Sequence, residues 1–595
     1  MNVLGISCYS HDSAAALICD GELVAAAEEE RFTRRKHDPS YPSNAIEFCL
    51  RQAGISGRDV DLAVFFEKPF AKFERIVTSA VVGFPATSEM FRASMRDWMS
   101  QKLWIKTRIA RHLRIPEKRV VFSEHHISHA ASAFLCSPFE RAAILSVDGV
   151  GEWATATYGI GRDSEMRQIA EIRFPHSLGL LYGAFTAFLG FEVNDGEGKV
   201  MAMAPFGEAR YLEQVWKLVN VSRDGSLRLN MDYFSFHRSS RRIYGEKFLE
   251  LFGRPRRPGM PFFTEASGIP SSERNADFSK RARLNQHYAD IAASIQAVAE
   301  EVMLRMAKYV RRRTDLKNLC MAGGLAFNNV AVTRVLREAG FEQVFIQPAA
   351  GDAGAALGAA LWGYHCVASR PRKFQMRRAC WGEEHSDGRA AEYLRGLGVS
   401  HFSVDDQDKL VDYVAEAIAD GAVVGWSQGR FEWGPRSLGN RSILADPRRV
   451  EMKETVNRKI KLREPFRPFA PALPAESYGD YFEPGVIGQP GARFMMLAPR
   501  VRPEAREAIP AAIHLDGSAR AQAVDEDESP LFHRLITRFG AFTGVPALLN
   551  TSFNLRGEPI VNTPEEAMRT FMQSGMDLLV IGNHIVEKRR ARLAA

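Results

Sequence analysis

Several features are missing from this chain, and each absence narrows what it can be. Its seven cysteines, at positions 8, 19, 49, 136, 320, 366 and 380, are scattered. No two form a CxxC pair, which argues against zinc ribbons and thioredoxin-like redox motifs. Several sit in apolar runs, where a thiol behaves as a small hydrophobe, a usage that fits a reducing compartment. No stretch approaches the roughly 20 apolar residues of a membrane span. The N-terminus has no basic leader and meets His11 and Asp12 early, so no signal peptide is expected and the expected location is the cytoplasm. A large charge excess is also missing. Lys+Arg number 78 and Asp+Glu 71, a net of +7, which gives little reason to expect a membrane or nucleic-acid partner. Internal repeats and low-complexity tracts are absent.

What is present is the composition of an ordinary globular protein, 46% hydrophobic and 25% charged. The length of 595 residues exceeds what one core can hold, so two large domains are expected. The apolar runs Val3–Cys8 and Ala14–Cys19 and the strand Glu22–Ala27 open the chain, the last two joined by Asp20-Gly21, a two-residue hairpin signal. Strand-like runs follow at Leu62–Glu67, Val120–Ser123, Ala142–Val147, Trp153–Ile160 and Gln168–Phe174. A long helical stretch covers Ala289–Arg313, and strands Asn318–Ala322 and Gln343–Gln347 each lead into Gly-rich turns and small-residue helices. This alternation predicts an α/β fold. Periodicity lapses at Ser369–Lys373, which separates a first domain (1–368) from a second (374–595). The second runs strand–helix–strand, with Val411–Asp420 followed by Val423–Ser427, and ends near Lys588. Segments 70–118 and 208–285 look like insertions into the first. The latter holds a basic run, Arg238 to Arg257, with seven basic residues against Glu246 and Glu250. A solvated loop explains that run better than an anion-binding patch.

His125-His126-Ile127-Ser128-His129 follows a strand and opens a helix. His125 and His129 stand i, i+4, on one face, where two imidazoles can share a metal or can simply be a capping or solvated pair. Asp352, at the strand-to-helix turn Gly351–Gly354, supplies a carboxylate or a helix N-cap. Together they would make a two-histidine, one-carboxylate set suited to Fe(II), and also to zinc or manganese. Gly323-Gly324, leading to Asn328, is a turn that brings backbone N–H groups near a phosphate, or packs tightly. Asp148, in Val147–Gly151, fits a metal ligand and a turn aspartate equally. Lys199, in Asp195–Pro205, would neutralise phosphate or belong to a surface loop.

The second domain carries a dense basic cluster from Gly429 to Ser442, including Arg430, Arg436 and Arg441. A second, from Lys459 to Pro471, includes Lys461, Arg463 and Arg467. Arginine forks suit phosphate and carboxylate, and lysine acts as a point charge. Nucleic acid is a competing ligand, weakened by the compactness of the cluster and by Glu432, Asp446 and Glu464. Asn550–Asn554 adds hydroxyl and amide groups.

In order, the segments HDSAA (from His11), EEERF, HHISHAASAF, GEGKVMAMAPFG, GGLAFNN, PAAGDAGAALGAAL, GPRSLGNRSILADPR, IKLREPFRPFAP, DGSARAQAV and LLNTSFNLRGEPIVNTPEEA resemble the O-carbamoyltransferase family. That family includes nodulation-factor and tobramycin carbamoyltransferases, and the resemblance covers nearly the whole chain. It implies an actin-like ATPase-fold N-terminal domain followed by a YrdC-like α/β C-terminal domain. The implied substrates are carbamoyl phosphate, ATP with Mg, and a small-molecule acceptor of unspecified identity, with neither nucleic acid nor membrane as partner. The second domain would form carbamoyl-adenylate, and the first would transfer the carbamoyl group to a hydroxyl or amine. The implied residues are Arg436, Lys461, Arg520 and Ser552 for carbamoyl phosphate and ATP, with Lys461 and Arg520 also catalytic. His11 would be the general base, Gly323, Gly324 and Asn328 the adenylate turn, and His125, His129 and Asp352 the metal ligands, Fe(II) being favoured. The related tRNA threonylcarbamoyl enzymes have only the first of these domains. Hydrogenase-maturation carbamoyltransferases carry CxxC pairs that this chain lacks.

Overall fold

The computed structural model describes residues 1–239, 242–267, 278–464 and 466–589. Arg241 of the basic run, Pro465 of the second basic cluster and part of the 208–285 segment lie outside them.

The chain divides into two compact units. Unit 1 comprises Met1–His11, Ala15–Leu23 and Ala53–Gln375, and unit 2 comprises Asp12–Ala14, Val24–Gln52 and Met376–Ala595. The N-terminal pieces of unit 2 are tied to its later residues by polar contacts. Glu28 accepts from Gly434 N at 2.7 Å, Arg31 donates to the Gly434 carbonyl, and Arg34 donates to the carbonyls of Ile560 and Pro559 at 2.7 and 2.8 Å.

Two five-stranded sheets organise unit 1. The first is formed by β1 (Asn2–Ser7), β2 (Ala14–Cys19), β3 (Glu22–Glu28), β4 (Leu62–Phe65) and β5 (Val120–Phe122), in the order β3-β2-β1-β4-β5. The chain passes into unit 2 partway along β3. The second sheet uses β6 (Arg141–Val147), β7 (Ala154–Arg162), β8 (Glu165–Arg173), β11 (Asn318–Ala322) and β12 (Gln343–Phe345), in the order β8-β7-β6-β11-β12. Between β8 and β11 lies a small antiparallel pair, β9 (Val219–Val221) and β10 (Leu227–Leu229). Both large sheets therefore run third, second, first, fourth, fifth. In each, the first, fourth and fifth strands are parallel. This repeated order makes a duplicated α/β core, the arrangement of the actin-like fold that the resemblance implies. Its inner strands β1, β4, β6 and β11 are nearly continuous buried runs because both faces are covered, whereas the edge strand β8 is mostly polar, and mostly exposed or half-buried. Asp20 (φ 49°) and Gly21 (φ 95°) make the expected left-handed hairpin turn.

The helix Asp352–Trp362 shows how composition sets approach distance. Its residues are Asp, Ala, Gly, Leu and Trp, and every one but Trp362 is buried. A Cβ on Gly358 would stand 1.8 Å from the Ser128 carbonyl oxygen of helix His125–Phe134, and one on Gly5 would stand 1.9 Å from the Ala356 carbonyl oxygen. Backbone thus meets backbone on both sides of this helix, and the approach carries Asp352 to the histidines.

Unit 2 is α/β, built on one eight-stranded mixed sheet. Its strands are β13 (Phe402–Ser403), β14 (Val424–Ser427), β15 (Arg441–Ala445), β16 (Ala470–Pro474), β17 (Gln522–Val524), β18 (Leu548–Ser552), β19 (Leu578–Ile581) and β20 (His584–Glu587). Their order is β13-β20-β19-β14-β15-β18-β16-β17. Helices Gln407–Ala419 and Pro530–Thr543 contribute Leu410, Val414, Phe532 and Phe539 to a buried core that also holds Trp426 and Leu444 of the sheet.

Gly358→Ala should therefore destabilise the protein by about 2 kcal/mol or more, since the added carbon meets backbone rather than a yielding side chain. Gly198→Ala, in helix Glu197–Met203 with nothing within 4 Å of its added carbon, should be neutral or slightly stabilising. Urea midpoints of the two variants test the contrast.

Candidate functional site

In unit 1, four buried ionisable side chains converge. His125 and His129 lie one turn apart on helix His125–Phe134, Asp148 follows the end of β6, and Asp352 begins helix Asp352–Trp362. One ligand atom from each lies within 4.8 Å of all the others. The two Nε2 atoms face each other at 3.1 Å, and His125 Nε2 is 3.1 Å from Asp148 Oδ2. Asp352 Oδ1 lies 3.7 Å from His125 Nε2 and 3.5 Å from His129 Nε2. Adjacent ligands on a metal with bonds of 2.0–2.1 Å are about 3.0–3.4 Å apart, so this spacing suits a coordination shell. Buried atoms are left over as well: Asp352 Oδ1 and the Nδ1 atoms of both histidines have no hydrogen-bond partner. A divalent cation fits the set, because it would satisfy facing nitrogens that cannot both donate to each other. Asp148, which the sequence left as ligand or turn residue, joins the expected three.

Burial opposes charge on His125, but Asp352 and Asp148 outweigh it and push the imidazole up to about 9. Burial likewise opposes ionisation of Asp148 and Asp352, yet the neighbouring histidines hold both carboxyls well below the usual range. His126 points elsewhere, with Nδ1 3.3 Å from Thr157 Oγ1; burial and the two cluster histidines push it down to about 3. The three histidines of HHISH thus divide into two cluster members and one neutral core residue.

His11 stands at the edge of this cluster, Nε2 3.8 Å from Asp352 Oδ2. Ser10 Oγ donates to the same oxygen at 2.6 Å. The expected adenylate turn adjoins it: Gly324 N donates to Asp148 Oδ1 at 2.8 Å. A Cβ on Gly323 (φ +88°) would lie 2.3 Å from the Val147 carbonyl oxygen, so close packing against β6 already demands glycine there. The Asn328 side chain caps the following helix through Ala331 N and exchanges two hydrogen bonds with Gln296. Lys199 pairs with Asp195 at 2.6 Å. Glu152 gave no signal in the sequence. Its carboxylate accepts from His125 N and Lys68 N, meeting the positive N-terminus of the histidine helix.

Unit 2 holds an electrostatic arrangement of the opposite kind. The Lys461 ammonium, 3% exposed, donates to the Ser552 carbonyl (2.7 Å), Ser552 Oγ (3.1 Å), the Asn554 carbonyl (2.9 Å) and Asn554 Oδ1. Burial, then Arg463, Arg467 and Lys36, push it well below the usual lysine range. Arg436 and Arg520 each bury an Nε that has no partner. Burial alone brings Arg520 down to about 10, with no carboxylate to offset it. A buried amide network gathers these residues. Ser437 Oγ donates to Asn550 Oδ1, Asn550 Nδ2 to Gln522 Oε1, and Gln522 Nε2 to the Leu438 carbonyl. Arg436, Ser552 and Arg520 are each within two residues of a member.

The remainder of the basic cluster is structural. Arg430 donates to the carbonyls of Gly382, Trp381 and Val24, and Arg441 to those of Gln428, Asn562 and Asn440. Buried Glu432 accepts from the backbone N–H of Leu438, Asn440 and Arg441 and shapes the loop. Of the groups around Lys461, Asn554 and Arg463 lie in segments whose polarity or charge the sequence showed without giving either residue a role, and Lys36 lies outside those segments.

The chain thus combines a duplicated α/β core that holds a buried histidine–carboxylate cluster with a second unit in which Arg436 and Arg520 each bury an unpartnered Nε. The chain belongs to the carbamoyltransferase family: residues 2–361 match the model of the carbamoyltransferase N-terminus and residues 415–588 that of the C-terminus. It is 43% identical to an uncharacterized protein of Synechocystis, over 99% of this chain and 97% of that one. It is 35% identical to nodulation protein NolNO of Sinorhizobium fredii, over 98% of this chain and 80% of that one. Identity to the 3'-hydroxymethylcephem-O-carbamoyltransferase of Streptomyces clavuligerus is 26%, over 96% of each. Among solved structures, component A of the Acidaminococcus fermentans (R)-2-hydroxyglutaryl-CoA dehydratase overlaps with a TM-score of 0.32 at 15% identity, covering 62% of this chain and 99% of that one, too loosely to bear on function.

The two cations of unit 2 differ in a measurable way. Lys461→Met strips a donor from several buried acceptors and should cost about 2–4 kcal/mol. Arg520→Met removes an uncompensated buried charge and should be neutral or stabilising. Millimolar inorganic phosphate should raise the melting temperature of the wild type but not of Arg520→Met. Equal losses in both variants would mean that Arg520 is an ordinary structural residue.

Proposed function

We propose that this carbamoyltransferase works in two steps, forming carbamoyl-adenylate in unit 2 and transferring the carbamoyl group to a small-molecule hydroxyl in unit 1. The observation that carries the reading is that Arg436 and Arg520 each bury a guanidinium Nε that has no hydrogen-bond partner. Buried cations without counter-charge suit a substrate that brings the negative charge itself.

In the first step carbamoyl phosphate loses phosphate with consumption of one water. The carbamate oxygen then bonds to the α-phosphorus of ATP, and pyrophosphate leaves. Lys461, Arg436 and Arg520 hold the phosphates and stabilise charge developing on them, and the Ser552 hydroxyl orients the carbamoyl end. Unit 2 plays the part of a YrdC-like domain, with Mg accompanying ATP. In the second step the acceptor oxygen bonds to the carbamoyl carbon, AMP departs, and the acceptor's proton goes to His11. The Gly323-Gly324 turn and Asn328 bind the adenylate. His125, His129, Asp148 and Asp352 would hold a divalent ion, Fe(II) ahead of zinc or manganese, which would polarise an oxygen of the adenylate. The O-carbamoyltransferase among the relatives supports a hydroxyl acceptor of the natural-product kind.

Assayed for carbamoyl-phosphate-dependent exchange of pyrophosphate into ATP, and separately for acceptor carbamoylation, His11→Asn should retain exchange and lose transfer. Asparagine keeps a polar side chain but takes no proton near neutral pH. Loss of exchange in folded His11→Asn would contradict the division of labour, and retained transfer would remove His11 from the chemistry. Lys461→Ala should abolish exchange; full exchange at saturating carbamoyl phosphate would end that assignment.

Metal analysis addresses the cluster separately. Wild-type protein should carry about one divalent ion per chain, with affinity falling about tenfold or more in both His129→Ala and Asp148→Asn. Unchanged metal in Asp148→Asn would reduce the ligand set to three.

A further inference from the structure

Fifteen large apolar side chains stand exposed among the described residues, and seven of them fall between positions 70 and 104. They belong to a helical hairpin in unit 1, Pro69–Val82 and Ser88–Ser100, continued by the turn Lys102–Trp104. The hairpin has internal structure. The rings of Phe73 and Trp98 pack at 5.1 Å, and Thr87 Oγ1 donates to the Ala80 carbonyl at 2.6 Å, closing the tip. Yet of the fourteen residues of its first helix only Pro69 and Ala80 are buried. Val82 and Phe84 at the tip are 82% and 75% exposed, and Trp104 beyond the second helix is 59% exposed. Trp98 is buried, but a helix–turn–helix that packed all its apolar residues against its own unit would not leave Phe70, Phe84 and Trp104 in water.

The charge of this region is equally uneven. Residues 69–114 contain nine basic residues against Glu74, Glu89 and Asp97, a net of +6, where the whole chain carries +7. Arg92, Arg96, Arg111 and Arg114 are exposed. The small total charge, which gave little reason to expect a membrane partner, thus hides a strongly cationic apolar segment.

We infer that the hairpin at 69–104 docks on an anionic lipid surface, its apolar tip and the Trp104 end entering the headgroup region while the neighbouring arginines meet lipid phosphates. Exposed apolar residues beside a cationic flank match an interfacial helix and its attraction to anionic lipid. The protein would lie on the bilayer without crossing it, since no described helix is long and apolar enough to span one. This inference stands apart from the proposed chemistry.

Co-sedimentation with vesicles tests it. Full-length protein should bind vesicles that are about one-third phosphatidylglycerol at least about tenfold more tightly than vesicles of phosphatidylcholine alone. High salt should weaken that binding. Val82→Ser/Phe84→Ser and Arg92→Gln/Arg96→Gln should each reduce it about fivefold or more, with circular dichroism and melting temperature unchanged. No preference for anionic vesicles, or binding indifferent to both double variants, would overturn the inference. So would a dimer of the wild type, seen by light scattering, that Val82→Ser/Phe84→Ser converts to monomer, because the apolar tip would then be covered by a second copy.

Discussion

Burying ionised groups is costly unless each is paired, and unit 1 buries four around one point. Two imidazoles and two carboxylates, 12% exposed at most, come from three separate parts of the chain. Much of the surrounding structure follows from bringing them there. The small-residue helix beginning at Asp352 must approach helix His125–Phe134 at backbone distance, and Gly358 and Gly5 allow it. Glu152 caps the histidine helix through His125 N, and Gly324 N fixes the second oxygen of Asp148. A cation at the centre would give the two carboxylates and the two facing Nε2 atoms a common partner, with His11 beside Asp352.

Unit 2 solves a complementary problem. Its positive groups are of two kinds that composition cannot separate. Arg430 and Arg441 spend their donors on backbone carbonyls and hold loops together, whereas Arg436 and Arg520 keep buried donors open. Lys461 lies between the extremes, already bonded to Ser552 and Asn554 but surrounded by further cations. An anion bound here would replace repulsion among cations with attraction. The basic density of unit 2 is thus partly scaffold, as Arg430 and Arg441 show, and partly the buried open donors of Arg436 and Arg520.

The sequence made the fold class and most strands legible, because apolar alternation, Asp-Gly turns and helical spacing are local signals. The pairing of His125 with His129 was readable for the same reason, since both lie on one helical turn. Asp148 was ambiguous until β6 and the Gly323-Gly324 turn came together, 176 residues apart along the chain. Glu152 and Glu432 act by accepting backbone N–H groups, a role that leaves no mark on residue spacing. The membership of residues 24–52 in unit 2 was hidden as well. It rests on Glu28, Arg31 and Arg34 meeting backbone more than 400 residues away, contacts that no local pattern announces.

A metal held by the buried cluster of unit 1 is located directly by anomalous diffraction from crystals of the protein as purified. Data collected on either side of the metal's absorption edge should give one strong peak per chain, enclosed by the Nε2 atoms of His125 and His129 and the carboxylates of Asp148 and Asp352. A chain with no peak there, or with its metal bound elsewhere, would contradict the account.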